Sequence, residues 1–156
     1  MNLPMTFADV KEIITAGQLH KLIRSDKEQL KYTEFIKLLL ESWCTPGDYF
    51  LSVKFGLAFT LEKNGKKSVS RQFSEDVKQQ RHIALNDFPY FFEEGVLHYI
   101  LWKLEGEILP TDILEIMKEL KVRHEIADYV FFINPPNLKS IPDIYHAHII
   151  LKTNSS

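Results

Sequence analysis

Apolar residues recur at helical spacing in the first third of the chain and gather into blocks of strand length after it. Phe7, Val10, Ile13 and Ile14 predict a short helix behind a Thr6 cap, with Asp9 in its first turn and Gly17 as its stop. Gln18 to Arg24 forms a second short element. Ser25-Asp26-Lys27-Glu28 has the form of a capping box. It opens the longest helix, which runs to about Trp43 with Leu30, Phe35, Leu38 and Leu39 along one side. Thr45-Pro46-Gly47-Asp48 ends or turns that helix. Tyr49 to Thr60 is apolar and aromatic; its start could continue as helix, and Lys54 to Phe59 reads as strand. The polar stretch from Glu62 to Ser74, with its Asn64-Gly65 turn signal, reads as a mobile loop.

Arg81 to Phe88 and Val96 to Trp102 read as strands joined by the aromatic connection Pro89 to Gly95, hence as an antiparallel pair. Pro110-Thr111-Asp112 opens a helix to about Val122, with Ile113, Ile116, Met117 and Leu120 inward. Ile126 to Ile133 is a third strand, Asn134-Pro135-Pro136-Asn137 a rigid turn, and Ile141 to Leu151 carries the last strand. The order strand, strand, helix, strand, strand predicts an α+β fold: an antiparallel meander with one helix packed across it. A single domain is expected over 1–156, with a helical N-terminal part at 1–48, the sheet and its helix at 49–152, and a loose tail at 153–156.

Composition narrows the partners. Net charge is −2, and the lysines and arginines are spread along the chain, which leaves no basic stripe for bulk nucleic acid. No apolar run approaches the roughly 20 residues needed to cross a bilayer, and no secretory signal is visible. Cys44 is the only cysteine, so no intrachain disulfide can form. A cytoplasmic protein is expected, a nuclear one being possible, with Cys44 as buried filler. Aromatic residues make up 12% of the chain, which fits a strand-rich core or a lined pocket.

The chemistry gathers on the last strand. Alternation places His146 and His148 on one face with Ile144 and Ile150, and Tyr145, Ala147, Ile149 and Leu151 on the other. His98, in the middle of an earlier strand, is the expected third partner. Three neutral imidazoles could hold a Zn-type metal with an open position. Without a metal or other cofactor, one imidazole could attack phosphorus while the others orient it. Histidines with a structural role also fit this spacing. Trp102 shares the face of His98 and Ile100, as core or as a stacking platform. Asn86 and Asn134 stand at strand ends, where an amide binds backbone or ligand, and Tyr90 sits in the aromatic connection. Glu93 and Glu94 could orient a histidine or meet a sugar hydroxyl, and Lys63, Lys66 and Lys67 could meet phosphate; solvated surface explains both groups as well. His20, His82 and His124 each stand among charged residues as ordinary surface histidines. There is no glycine-rich phosphate loop, no Gly-x-Ser-x-Gly elbow and no His-Glu-x-x-His helix.

Three stretches carry a resemblance over nearly the whole chain: Gly17-Gln18-Leu19 with Leu22-Ile23-Arg24-Ser25 and then Tyr32, the run from Asn86 to Trp102, and Asn134 to Pro142 with His146-Ala147-His148. They resemble the fungal and plant N-acetylglucosamine-induced protein family, in which an acidic residue often stands where this chain has Tyr145. The last hundred or so residues also resemble the histidine-triad fold of nucleotide hydrolases and transferases. That resemblance implies that His146 takes the first triad position, His148 the middle, nucleophilic one, and His98 the earlier histidine, with His146 holding His148 through a hydrogen bond. It implies a phosphorylated ligand, a nucleotide or nucleotide sugar, lined by Asn86, Tyr90, Trp102 and Asn134, and a possible homodimer. Ile150 departs from the pattern: a phosphate-contacting His or Gln is expected there. A non-enzymatic sensor that kept the fold is the alternative that this departure supports.

Overall fold

The computed structural model describes residues 3–139 and 141–154. Helix α1 (Phe7–Thr15) starts at a complete capping box: Asp9 N donates to Thr6 Oγ1, and Thr6 N donates to the Asp9 carboxylate. Gly17 then turns the chain at φ 70°, a left-handed conformation that glycine adopts without Cβ strain. A single 3₁₀ turn at Leu19–Lys21 leads to α2 (Asp26–Ser42), capped by Ser25. Only part of the expected apolar side of α2 is buried. Leu39 faces the core, whereas Leu30 and Leu38 are 64% and 61% exposed.

A third helix, α3 (Pro46–Val53), replaces the expected turn and moves the end of the helical part from residue 48 to Val53. Thr45 caps it and proline occupies its first turn, where no N–H is needed. Residues 54–59 are turn and irregular chain rather than strand. The polar segment after them holds a small hairpin, β1 (Thr60–Leu61) with β2 (Lys67–Ser68), and is tied down beyond it. Val69 N and Arg71 Nη1 both donate to the buried Asp48 carboxylate at 2.9 and 2.6 Å, and Arg71 Nη2 reaches Asp143 at 2.7 Å. Burial alone would raise the Asp48 carboxyl; donors from Thr45, Val69 and Arg71 outweigh it and hold the pKa low. Asp48→Ala leaves the buried Val69 N–H without an acceptor, and urea unfolding should show a loss of about 1–3 kcal/mol. A loss below about 0.5 kcal/mol, the range of ordinary surface changes, would remove this clasp from the account.

After a short helix, α4 (Glu75–Lys78), come β3 (Arg81–Leu85), β4 (Val96–Lys103), α5 (Pro110–Arg123), β5 (Ile126–Phe132) and β6 (Tyr145–Thr153). The sheet order is β3-β4-β6-β5, with every neighbouring pair antiparallel. This corrects the meander. The α5 crossover makes β4 and β5 parallel and one strand apart, and β6 fills the gap between them. Thr153, expected in a loose tail, is bound: its N and Oγ1 both donate to Gly95 O at 2.9 Å. Residues 155–156 of that tail lie outside the described residues. No helix among the described residues is long and apolar enough to cross a membrane.

Strand alternation divides the sheet cleanly. Tyr99, Leu101, Ala147, Ile149 and Leu151 meet Ile113, Ile116, Met117 and Leu120 of α5. The even-numbered residues of β4 and β6 face the N-terminal layer instead. There, two apolar clusters lie apart. One joins Phe7, Val10 and Leu22 to Phe132 and Ile150. The other joins Leu39, Trp43 and Leu51 to Trp102, Leu104 and Ile144. His98, His146 and His148 occupy the seam between them.

Candidate functional site

The register of the sheet makes the seam. His98 pairs with Ile150 and Ile100 pairs with His148, so His98 and His148 are diagonal neighbours on one face, close enough for long side chains to touch. His98 Nε2 lies 2.8 Å from His148 Nδ1, and Tyr90 N donates to His98 Nδ1 at 3.2 Å. The His148 ring is stacked 4.7 Å from Phe132 at 2° and 5.6 Å from Tyr90 at 16°. Its Nε2 lies 3.3 Å from the Asn134 side-chain amide, which is also 3.3 Å from Tyr90 Oη. His146 stands apart from this chain of contacts. Its Nδ1 is 2.8 Å from Ile144 O, and its ring lies 4.4 Å from Trp102.

All three imidazoles are buried, and burial disfavours their charged forms. Burial, with the Arg24 charge added, pushes His98 down to about 3. His148 is held well below the ordinary histidine value by burial and then by nearby positive charge, and His146 is lowered by burial against the pull of the Ile144 carbonyl. The three imidazoles are therefore neutral at physiological pH.

A cleft opens over His146 and His148. Tyr32 and Phe35 of α2, Phe50 of α3, and Ile100 and Trp102 of β4 give it aromatic and apolar walls. Arg24, Lys54 and Asp87 bring charge, with Lys54 and Asp87 paired at 3.2 Å. Arg24 has no such partner: among the described residues no carboxylate stands within ion-pair distance of it. Its Nε donates to Phe88 O at 2.7 Å, and its guanidinium lies 4.1 Å over Tyr32 and 5.5 Å from Tyr90. Burial lowers its pKa, yet an arginine stays charged in proteins. The cleft thus contains an oriented cation with no directly paired carboxylate, the Glu28 charge acting on it only from a longer distance. Along β3, His82 and Ala84 line the same cleft as Asn86 just beyond the strand. Asn86 Oδ1 accepts Phe88 N at 2.8 Å, which fixes the amide and leaves its buried Nδ2 without an acceptor. The buried Nε2 of His82 is also unpartnered.

The sequence profile of the family described as "Protein of unknown function (DUF3605)" matches residues 6–152. The chain belongs to this family. An uncharacterised protein of Saccharomyces cerevisiae, YPL067C, is 30% identical over 91% of this chain and 76% of its own length. N-acetylglucosamine-induced protein 1 of Candida albicans is 28% identical over 96% of this chain and 68% of its own. The resemblance to that protein's family read from the sequence is thereby shown. A crystal structure of HTC1 shares the fold at a TM-score of 0.61 and 24% identity, covering 94% of this chain and 84% of that one.

In this DUF3605 chain, His146, His148, Asn86, Tyr90, Trp102 and Asn134 all line the cleft, whereas His98 lies behind it. The expected bond from His146 to His148 is not formed: His98 holds His148, and the ring centroids of His146 and His148 are 5.7 Å apart. The histidines do not converge on a metal position. Among the described residues no group of three or more His, Cys, Asp or Glu side chains could hold one, and both ring nitrogens of His98 are engaged within the protein. Glu93 is a structural acceptor, taking Phe7 N at 3.1 Å at the start of α1, and Glu94 is exposed. The hairpin lysines are absent from the cleft; Lys67 lies 5.0 Å over Trp43 instead. Cys44 is half-buried rather than buried.

Two histidines thought ordinary are not. His124 bonds Tyr99 Oη at 2.7 Å through its Nε2, and His82 lines the cleft. The position of His82 four residues before Asn86, hence on one strand face with it, was the available signal. Arg24 and Tyr32 carry part of the family resemblance, but nothing in the sequence places either in the ligand site, and both line the cleft. Arg24 closes the short element that begins at Gln18, where a terminal charge looks like solvated surface.

Proposed function

We propose that this cleft binds a phosphorylated small molecule, with a nucleotide or nucleotide sugar as the leading class, on a histidine-triad-like sheet. The Arg24 guanidinium, which makes no direct ion pair, carries this reading. It is clamped by Phe88 O and Tyr32 with its terminal nitrogens left for an anion, and a planar guanidinium matches phosphate geometry. Tyr90, Trp102 and the neighbouring rings supply stacking surface for a base or sugar, and the unpartnered Asn86 Nδ2 supplies a donor for a carbonyl or hydroxyl of that part. The name of the Candida albicans relative makes amino-sugar nucleotides the first candidates.

Calorimetric titration with inorganic phosphate, AMP and UDP-N-acetylglucosamine tests the reading. At least one organic phosphate should bind, and Arg24→Gln should weaken it about 10- to 100-fold, the value of a charged hydrogen-bonded contact. Binding that ignores Arg24→Gln, or no binding by any of the three, would overturn it.

A second reading, ligand recognition without turnover, is favoured by Ile150. At the third triad position this residue is fully buried in the α1 cluster and offers no donor to phosphate. Chromatography of the bound nucleotide after prolonged incubation separates the two. Intact ligand supports the sensor; product formation supports a hydrolase or transferase.

A further inference from the structure

The chain of contacts through the histidines has a direction, and one backbone group sets it. Tyr90 N–H can only donate, so His98 Nδ1 must present its lone pair. A neutral His98 then carries its proton on Nε2. That proton points at His148 Nδ1, 2.8 Å away, which must accept it. A neutral His148 in turn carries its own proton on Nε2. The reverse order fails at its first step, because a proton on His98 Nδ1 would face the amide hydrogen of Tyr90. His146 has the opposite polarity. Its Nδ1–H donates to Ile144 O, which can only accept, so Nε2 keeps the lone pair. The amide of Asn134 follows from the same logic. The structure has Asn134 Nδ2 in the shared position, 3.3 Å from both Tyr90 Oη and His148 Nε2, where its NH₂ would oppose the imidazole proton. Turning the amide over puts the oxygen there, accepting from both His148 Nε2–H and the Tyr90 hydroxyl.

We infer that His98 is a positioning residue that fixes His148 as a hydrogen-bond donor, while His146 is the acceptor, so the cleft selects a ligand that pairs an oxyanion with a neighbouring hydroxyl. The inference rests on the phosphate-ligand reading for the ligand class alone; the proton positions follow from protein contacts. It also exchanges the roles that the triad resemblance implies. His148 Nε2 holds a proton and is not a free nucleophile in the resting protein. The available imidazole lone pair belongs to His146. Arg24 is the donor that meets a phosphate oxygen. The His148 Nε2 proton rests on the Asn134 amide and reaches a ligand oxygen only by sharing or exchanging that acceptor, and a ribose or sugar hydroxyl is the donor that suits His146 Nε2.

Nitrogen-15 NMR of histidine-labelled full-length protein near pH 7.5, without ligand, reads the tautomers directly. His98 and His148 should each show a protonated Nε2 and a bare Nδ1, and His146 the converse. His98→Gln keeps a side-chain N–H close to the place of Nε2 and should preserve the His148 signature. His98→Phe removes the donor, and His148 should then move its proton to Nδ1, with Nε2 accepting from the Asn134 amide. A bare Nε2 on His148 in the unaltered protein overturns the inference, as does a folded His98→Phe variant whose His148 signature is unchanged. Should His98→Phe fail to fold, the unaltered protein and His98→Gln decide the matter. The spectra need no ligand, so failure here is distinct from failure of the phosphate titration.

Discussion

Acidification from pH 7 towards pH 4 should strip this protein of stability well before its carboxylates titrate. The histidines of the seam cause it. His98 has a folded pKa of about 3 because it is buried beside the Arg24 charge, against about 6.5 for an unfolded histidine. Below pH 6.5 the unfolded chain binds a proton that folded His98 refuses. Stability is therefore complete above that pH and falls as the pH drops towards 3. The largest slope is about 1.4 kcal/mol per pH unit for each such group. Between pH 6.5 and pH 4, His98 alone accounts for a loss on the order of 3 kcal/mol, a large share of the stability of many domains. His148 and His146 are lowered in the same direction, chiefly by burial, as is His82, where Lys54 adds to burial. Asp48 and Asp112, held low by their donors, add a further loss only in the carboxylate range. Urea midpoints measured from pH 8 to pH 4 should stay level to about pH 6.5 and then descend steeply. His98→Gln should flatten part of that descent. A level curve down to pH 4.5 would contradict a seam of neutral, buried imidazoles.

That seam was half legible in the sequence. A period of two is a local property of a strand, so the shared face of His146, His148 and Ile150 could be read directly, and so could the opposite face that packs on α5. The inward residues of α5 were legible for the same reason at a period of 3.6. The pairing partner of His148 was not. It depends on β6 entering between β4 and β5, which brings His98 diagonally opposite, and no local pattern fixes strand order. α3 shows the converse. Its aromatic and apolar residues have strand propensity, yet Thr45, Pro46 and Asp48 supply the cap, first-turn proline and first-turn acid of a helix. Those signals prevailed because Asp48 also anchors Val69 and Arg71. Arg24 stayed hidden because its meaning is tertiary: an arginine is informative only once the N-terminal layer has placed it in a cleft whose carboxylate, Asp87, is paired with Lys54.

Replacing Ile150 with histidine, which restores a triad-like sequence, should damage the fold rather than awaken chemistry. Ile150 is fully buried with Phe7, Val10, Leu22 and Phe132, where α1 and the following turn close over the sheet. Its strand neighbours are His98 on one side and Val130 on the other. An imidazole there would lose the packing of a branched side chain and bury a polar ring beside hydrocarbon. Ile150→Ala isolates the packing part: about 2–5 kcal/mol for a buried aliphatic truncation, or about 4–20 °C in Tm for a chain of this size. Ile150→His should cost at least as much, and the loss should deepen on acidification because charging the new ring is disfavoured in that site. Thermal melts of both variants at pH 8 and pH 6, with turnover assays on any phosphorylated ligand that binds, decide the point. A stable Ile150→His variant that gains turnover would mean that position 150 reaches the ligand after all. The α1 cluster argues otherwise: the N-terminal layer that supplies Arg24 through the 3₁₀ turn also seals position 150. Arg24 is thus brought to the cleft by the same packing that removes the third triad position from it.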